Sequence, residues 1–307
     1  MTEINTERNV YLSGTLVPES QAKISIFDSA VMLGDCVTES TRTFAHKPFK
    51  IEQHIARLYK SLKVARIDPG LSPDEMQTVT LELLQQNLQT LEQGADFWIV
   101  HNVSRGLAVA GPDPTISQSG ATVMIHNSLM DLTGWAEFYA QGCHAVTPMS
   151  RAIPSQSLDA RIKNRSRMNY TLAEMEVKLV DAKAQSVLLD IHGNVSENKG
   201  GNVFIVCDGV IKTPVTSNCL AGVSRATVLE LAAALNIACS ETSLQPYDLY
   251  TADELFITST PYCIMPATKF NGLPVGNGEV GTITRKILSA WSDLVEVDIQ
   301  QQAESQL

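Results

Sequence analysis

The chain has 307 residues, 44% hydrophobic and 18% charged, with a formal net charge of -10 from 33 acidic against 23 basic side chains. That is the composition of a folded protein of one large or two ordinary domains, not of a disordered one. The acidic balance argues against a phosphate-tracking nucleic-acid binder, which needs clustered Lys and Arg, and no apolar run approaches the ~20 residues that span a bilayer.

In chain order, the opening MTEINTERNV is polar and carries acids, which reads as neither a secretory nor a transit peptide. Val10-Tyr11-Leu12 and Lys23-Ile24-Ser25-Ile26-Phe27 alternate like strands, broken by Ser13-Gly14 and Pro18, and residues 37–44 (VTESTRTF) read as a further strand. A helix fits 52–66, with Ile55, Leu58 and Leu62 on one face. The next opens with Ser72, Pro73 and Glu75 in a capping-box arrangement, continues through Met76, Val79 and Leu83, and stops by Gly94. Strands are expected near 96–103 and 121–126. The pattern loosens over 126–136, read as a linker between a small α/β domain (1–125) and a larger, strand-rich domain (137–307). That second part holds expected strands at 144–148, 186–190 (SVLLD), 203–207 and 254–259. Asp208-Gly209 signals a hairpin. One helix starts near Arg225 with Val228, Leu231 and Leu235 on one face, and a last helix carries Ile287 and Trp291. The tail from Gln300 reads as frayed.

Six cysteines (Cys36, Cys143, Cys207, Cys219, Cys239, Cys263) are scattered without a C-x-x-C pair or a His at ligand spacing. No disulfide scaffold and no metal site are therefore expected, and a reducing cytoplasm is the expected compartment. There is no P-loop, no dinucleotide-binding glycine fingerprint and no G-x-S-x-G. The informative pieces are spread out: HIARL at 54–58, RIKN at 161–164, NVSENKGGNVF at 194–204, AGVSR at 221–225 and DELFITST at 253–260.

Taken together and in this order, the pieces resemble the fold-type IV, or class IV, pyridoxal 5′-phosphate aminotransferases, which include branched-chain, D-amino acid and (R)-amine transaminases. The resemblance runs from about Val10 to Leu294. It implies a two-domain α/β (α+β) fold, a small α/β domain plus a larger strand-rich pseudo-barrel domain. It also implies pyridoxal phosphate as cofactor, an amino donor and a 2-oxo acid acceptor as substrates, and a homodimer or higher homo-oligomer.

Pyridoxal phosphate chemistry needs an amine that holds the aldehyde as a Schiff base and shuttles a proton. By the resemblance that amine is Lys163, which lies 27 positions before Asp190. Arg161, Arg165 and Arg167 supply neighbouring cations. A carboxylate beside the ring nitrogen keeps it protonated; Glu197 matches it, and Asn202 matches a later family asparagine. Asn198 stands where the family usually has Gly, and Asn tolerates a left-handed turn better than other side chains. The phosphate falls to Val223 and Ser224 at a helix start, to Arg57 in HIARL and to Thr260. Ser224 also suits a plain N-cap. A family tyrosine five residues after the lysine is replaced by Met168; Tyr170 either takes its role or packs in the core of the following helix.

The substrate side departs from the family. Pro261 follows Thr260 and has no N–H for a carboxylate. The loop Leu107-Ala108-Val109-Ala110-Gly111 lacks the Arg and His of familiar D-amino acid members. Thr38, Ser40 and Arg42 share one face of a strand that lines the family pocket, which makes Thr38 and Arg42 candidate substrate contacts. Arg105, Arg165 and Arg167 are other candidate carboxylate partners. The leading reading is a transaminase. A lyase of the aminodeoxychorismate type would use the same lysine and glutamate, and a non-catalytic scaffold would keep the fold without the chemistry.

Overall fold

Alternating apolar side chains build the first sheet. In a computed structural model, which describes residues 7–91, 94–108 and 119–307, the chain divides into two units. The first takes the residues up to Met130 together with Ile162–Ser166; the second takes Asp131–Arg161 and Arg167–Leu307.

The first unit contains strands β1 (Asn9–Leu12) and β2 (Thr15–Pro18), a helical turn α1 (Ser29–Met32), β3 (Cys36–Phe44) and β4 (Lys47–Pro48). Helices α2 (Ile51–Ala65) and α3 (Pro73–Asn87) follow, then β5 (Phe97–Ser104) and β6 (Thr122–Leu129). The six strands form one antiparallel sheet in the order β2-β1-β6-β5-β3-β4. Ile55, Leu58 and Leu62 of α2 and Met76 and Leu83 of α3 bury against Phe97, Ile99, Val103, Val123 and Ile125 of the sheet, the apolar stripe that helical period predicts. The capping box is formed: Glu75 N–H donates to Ser72 Oγ (3.2 Å) and Ser72 N–H to Glu75 Oε2 (2.7 Å).

In the second unit, α4 (Thr133–Ala136) and α5 (Phe138–Gln141) precede β7 (Cys143–Val146), α6 (Met168–Lys178), β8 (Gln185–Ser186), β9 (Glu197–Asn198), β10 (Gly201–Cys207) and β11 (Val210–Pro214). Then come α7 (Val223–Ala234), β12 (Cys239–Thr242), α8 (Pro246–Tyr250), β13 (Glu254–Ser259), β14 (Cys263–Phe270), β15 (Leu273–Pro274), α9 (Thr282–Val295) and α10 (Ile299–Glu304). Nine strands pair along the path β12-β11-β10-β13-β14-β7-β8, with β9 on β10 and β15 on β14. β10 and β13 are buried along almost their whole length, as strands covered on both faces are. Phe204 and Phe256 stack between them with ring centroids 5.0 Å apart. The Asp208-Gly209 turn takes positive φ at both residues (50° and 76°), the conformation that matches strand twist.

Several expectations are corrected. Lys23–Phe27 is not a strand: among the described residues only its last carbonyl, that of Phe27, bonds a neighbouring segment (Ala108 N–H, 2.8 Å), and Ile24, Ile26 and Phe27 face out. Residues 126–129, read as linker, complete β6, and 133–136 form α4. Of SVLLD only Ser186 lies in a named strand, with Leu189 held by isolated bridges to Arg151 and Val195. Leu235 caps α7 and is exposed. The tail is helical, because Asp298 Oδ1 accepts the Gln301 N–H (2.9 Å) and starts α10.

Candidate active site

In the first unit the candidate lysine is fixed by strand pairing. The segment around it lies antiparallel to the start of β3. Thr38 N–H donates to the Lys163 carbonyl and Arg165 N–H to the Cys36 carbonyl, each at 2.8 Å, with Val37 opposite Asn164. Lys163 N–H donates to Ser61 Oγ on α2 (3.2 Å). One turn earlier on the same helix, Arg57 grips the buried Glu39 carboxylate with Nε at 2.8 Å and Nη2 at 2.6 Å, and His54 Nδ1 lies 3.0 Å from the same carboxylate. Burial pushes the Glu39 carboxyl up, but the Arg57 cation with its bonds, and the His54 bond, hold it well below the usual carboxylate range. Burial draws the His54 imidazole down against the pull of Glu39, and the Lys163 and Arg57 charges add to that fall. Glu39 and His54 were not singled out from sequence. The signal was HIARL itself, whose His and Arg sit three apart on one helix face.

In the second unit the candidate glutamate anchors a network. Glu197 is 7% exposed. Its Oε1 accepts the Tyr170 hydroxyl (2.6 Å) and its Oε2 the Leu220 N–H (2.8 Å). Asn202, paired with Glu197 across β9 and β10, donates from Nδ2 to the Leu220 carbonyl (2.8 Å). Leu220 is therefore held at both its N–H and its carbonyl, three residues before the start of α7. Asn198 needs no left-handed turn. It lies in β9 opposite Gly201 with negative φ, and its amide bonds the Ser186 carbonyl (2.8 Å) and the Gly200 N–H (3.0 Å).

The N-cap of α7 is Gly222, not Ser224, and no side chain caps the helix. A Cβ at Gly222 would meet Asn202 Oδ1, so a side chain there would push aside the amide that bonds the Leu220 carbonyl. Val223 and Ser224 are the first two helical residues, both buried. This is the end of a helix at which backbone N–H groups and the dipole favour an anion. Thr260 and Pro261 lie in the turn between β13 and β14, Thr260 half-buried and Pro261 buried.

Tyr170 sits in the first turn of α6, packed on Ala152, Ala173 and Leu188, and bonds Glu197. Burial first, and then Glu197, push its phenol up, so it acts as a donor. Met168 faces solvent.

The substrate candidates fare differently. Thr38 is buried, and its hydroxyl donates to the His101 carbonyl across β3 and β5 (2.9 Å). Arg42 is only 1% exposed. Its Nε donates to the Thr43 carbonyl (3.1 Å), Nη2 lies 3.9 Å from Asp96 Oδ2, and the guanidinium stands 4.1 Å over the Phe44 ring. It is committed to the interior and does not suit a carboxylate grip. Arg105 is bound to Asp35 (2.6 Å) and to the Ala65 and Arg66 carbonyls, and Arg161 to Asp159 (2.6 Å). Arg165 is exposed. Of the loop 107–111, Val109-Ala110-Gly111 lies outside the described residues.

Pyridoxal phosphate, which the resemblance implies, fits these residues. The second unit offers a buried carboxylate, able to accept several hydrogen bonds, tied through Leu220 to a helix start that no side chain caps. No group of three or more His, Cys, Asp or Glu among the described residues is arranged to hold a metal.

The family description Amino-transferase class IV matches residues 36–270. Over 286 residues, 93% of this chain and 96% of the relative, the chain is 36% identical to a putative branched-chain-amino-acid aminotransferase of Methanocaldococcus jannaschii. Among solved structures it is similar to the branched-chain amino acid aminotransferase of Escherichia coli, with TM-score 0.85 and 27% identity over 94% of this chain and 95% of that one. It is also similar to the T.th. branched-chain amino acid aminotransferase solved with pyridoxamine 5′-phosphate, with TM-score 0.84 and 26% identity over 94% and 95%.

Proposed function

As a member of the class IV aminotransferases, this chain moves an amino group between an amino acid or primary amine and a 2-oxo acid, and we propose that it does so with pyridoxal 5′-phosphate held by the residues described above. The family depends on that cofactor. Bound, it supplies an aldehyde that takes up the donor's amino group and a ring that withdraws electrons from the reacting Cα.

The chain's own residues divide the remaining work. Lys163 holds the aldehyde through Nζ and carries the proton to and from the donor's Cα. Its backbone is pinned by Thr38 and Ser61, so only its side-chain torsions are left to set. Glu197 accepts from the ring nitrogen, and Asn202 keeps the neighbouring Leu220 peptide in place. Arg57, the Val223 and Ser224 end of α7, and the Thr260 hydroxyl take the phosphate, with Glu39 orienting the Arg57 fork. The observation that carries this reading is the buried Glu197 carboxylate joined through Leu220 to the uncapped start of α7. Borohydride reduction of the loaded protein followed by peptide mapping is expected to leave a pyridoxyl group on Lys163. The Lys163→Ala protein should take no label and lose transamination altogether. Label on another lysine, or turnover in that variant, would refute the assignment.

The donor we assign is a branched-chain amino acid, supported by the names of the relatives. Arg42 is committed internally, which counts against a grip by that cation, and Pro261 offers no N–H, so any backbone grip on the carboxylate falls to other N–H groups. A screen of branched-chain, D-amino acid and (R)-amine donors, both enantiomers of each, should show the fastest loss of the visible cofactor band with branched-chain L-amino acids. Faster reaction with (R)-amines or D-amino acids would overturn that choice.

We also propose a homodimer. Met168, Leu172, Met175 and Leu179 recur at i, i+4, i+7 and i+11 along α6 and all face out, at up to 89% exposure for Leu179, a seam at coiled-coil spacing. A cytoplasmic location is supported by six free cysteines. No helix among the described residues is long and apolar enough to cross a membrane.

A further inference from the structure

Tyr170 does not sit where a cofactor phenol is expected. The residue at the spacing where branched-chain members carry a tyrosine is the exposed Met168, and the tyrosine two positions on has its hydroxyl on a carboxylate. Its Oη donates to Glu197 Oε1 at 2.6 Å, the length of a charge-assisted bond. The other face of the tyrosine is also engaged. The Arg167 guanidinium carbon lies 3.8 Å from the ring centroid, within cation–π reach, and Arg167 is the N-cap residue of α6. Three groups are thus in series: a cation on a ring, the ring's hydroxyl on a carboxylate, and the carboxylate's second oxygen on the Leu220 N–H.

Each link has a physical consequence. A carboxylate held by one bond can swing about its Cγ–Cδ axis; held by donors on both oxygens, it presents a fixed plane. Tyr170 cannot accept from Glu197 while its own proton is donated there, and burial among Ala152, Ala173 and Leu188 keeps the phenol protonated. A cation over the ring makes the hydroxyl a better donor. The stack therefore fixes the direction of the carboxylate. Packing alone does not require this arrangement, because a phenylalanine would fill the same hydrophobic contact.

We infer that Arg167 and Tyr170 are positioning residues that act through Glu197: they hold its carboxylate oriented for the ring nitrogen of the cofactor, and Tyr170 does not bind the cofactor itself. This rests on the reading of Glu197 given above.

The test is a double-mutant cycle on cofactor dissociation from the purified holoprotein, with Tyr170→Phe and Glu197→Gln made singly and together. Loss of one hydrogen bond to a charged group should weaken pyridoxal phosphate binding about tenfold in Tyr170→Phe. If the hydroxyl acts only through the carboxylate, the same change should have almost no further effect in the Glu197→Gln background. Additive losses would show that Tyr170 meets the cofactor directly and would overturn the inference. Arg167→Ala should weaken binding about threefold in the wild type and not at all in Tyr170→Phe; an equal loss in both would remove Arg167 from the relay.

A second readout guards against a variant that folds poorly. The rise in melting temperature on adding pyridoxal phosphate reports binding to the folded state alone. For Tyr170→Phe the melting temperature falls more with the cofactor than without it, so that rise should shrink. An equal drop with and without the cofactor would mean a merely structural hydroxyl and would sink the proposal. Wild-type protein that takes up no pyridoxal phosphate would fail the underlying reading, whereas normal uptake with unaffected variants would fail the relay alone.

Discussion

His101 lies opposite Glu39 in the β3–β5 pairing, with Nε2 2.8 Å from Thr80 Oγ1. The Thr80 hydroxyl already donates to the Met76 carbonyl, so it must accept from Nε2–H. His101 Nδ1 has no partner among the described residues, which makes this a neutral imidazole. Burial draws it down to about 4. Unfolded, it takes a proton near its ordinary value; folded, it refuses one until the pH is far lower. Its contribution is therefore complete above about pH 6.5 and is lost as the pH falls towards 4, on the order of 3 kcal/mol in all. Glu39, held low, adds to the same acid-side loss. Denaturant unfolding from pH 7 to pH 4 should show this decline, and His101→Gln should flatten it; an unchanged slope in the variant would refute the account. None of this was legible in the sequence. Strand alternation correctly put Thr38 and Arg42 on one face, but the carboxylate that occupies Arg42 is Asp96, fifty-four residues on, and no local pattern announces such a partner. Lys163, Arg57 and Glu197 stood out only through resemblance, because a lysine in a loop carries no periodic signature.

Elements whose ends are set locally were read from sequence, and those set from a distance were not. Ser72 with Glu75, and Asp208 with Gly209, lie within four residues of what they satisfy, so their chemistry is visible in a short window. Lys23–Phe27 alternates as well as any true strand, yet alternation describes only a face, and among the described residues it gains a single backbone bond to a neighbouring segment, at Phe27. The start of α9 is the opposite case. Its cap is Glu254 on β13, which accepts the Ile283 N–H (2.9 Å), the Thr284 N–H (2.7 Å) and the Thr284 hydroxyl (2.7 Å). Glu254→Ala should leave those buried donors unmet and cost about 2 kcal/mol, read as a lowered unfolding midpoint, with Glu254→Gln recovering part of it. A variant as stable as the wild type would show that water replaces the carboxylate.

At the scale of the whole molecule, the seam on α6 makes a claim about association. Placing charges in it, as Leu172→Glu with Leu179→Glu, should convert a dimer to a monomer in sedimentation or size-exclusion measurements, because both positions are exposed and neither supports the core of its own unit. A monomeric wild type, or a variant that still associates, would remove the seam from the interface. The pattern loosens over 126–136, a stretch that begins inside β6 and not after it. What could not be seen is that Ile162–Ser166 leaves its neighbours in sequence and packs with the first unit, because five residues have too short a period to reveal their partner.

That small exchange bears on how the protein is made. When β6 has left the ribosome, the first sheet has all six of its strands, but the outer edge of β3 at Cys36–Thr38 stays bare until residues 162–165 emerge. At ~5–20 residues per second, that is an interval of a few seconds. An unpaired edge invites pairing with another chain, so the nascent polypeptide passes through a window in which the border that later receives Lys163 and its neighbours is also its stickiest.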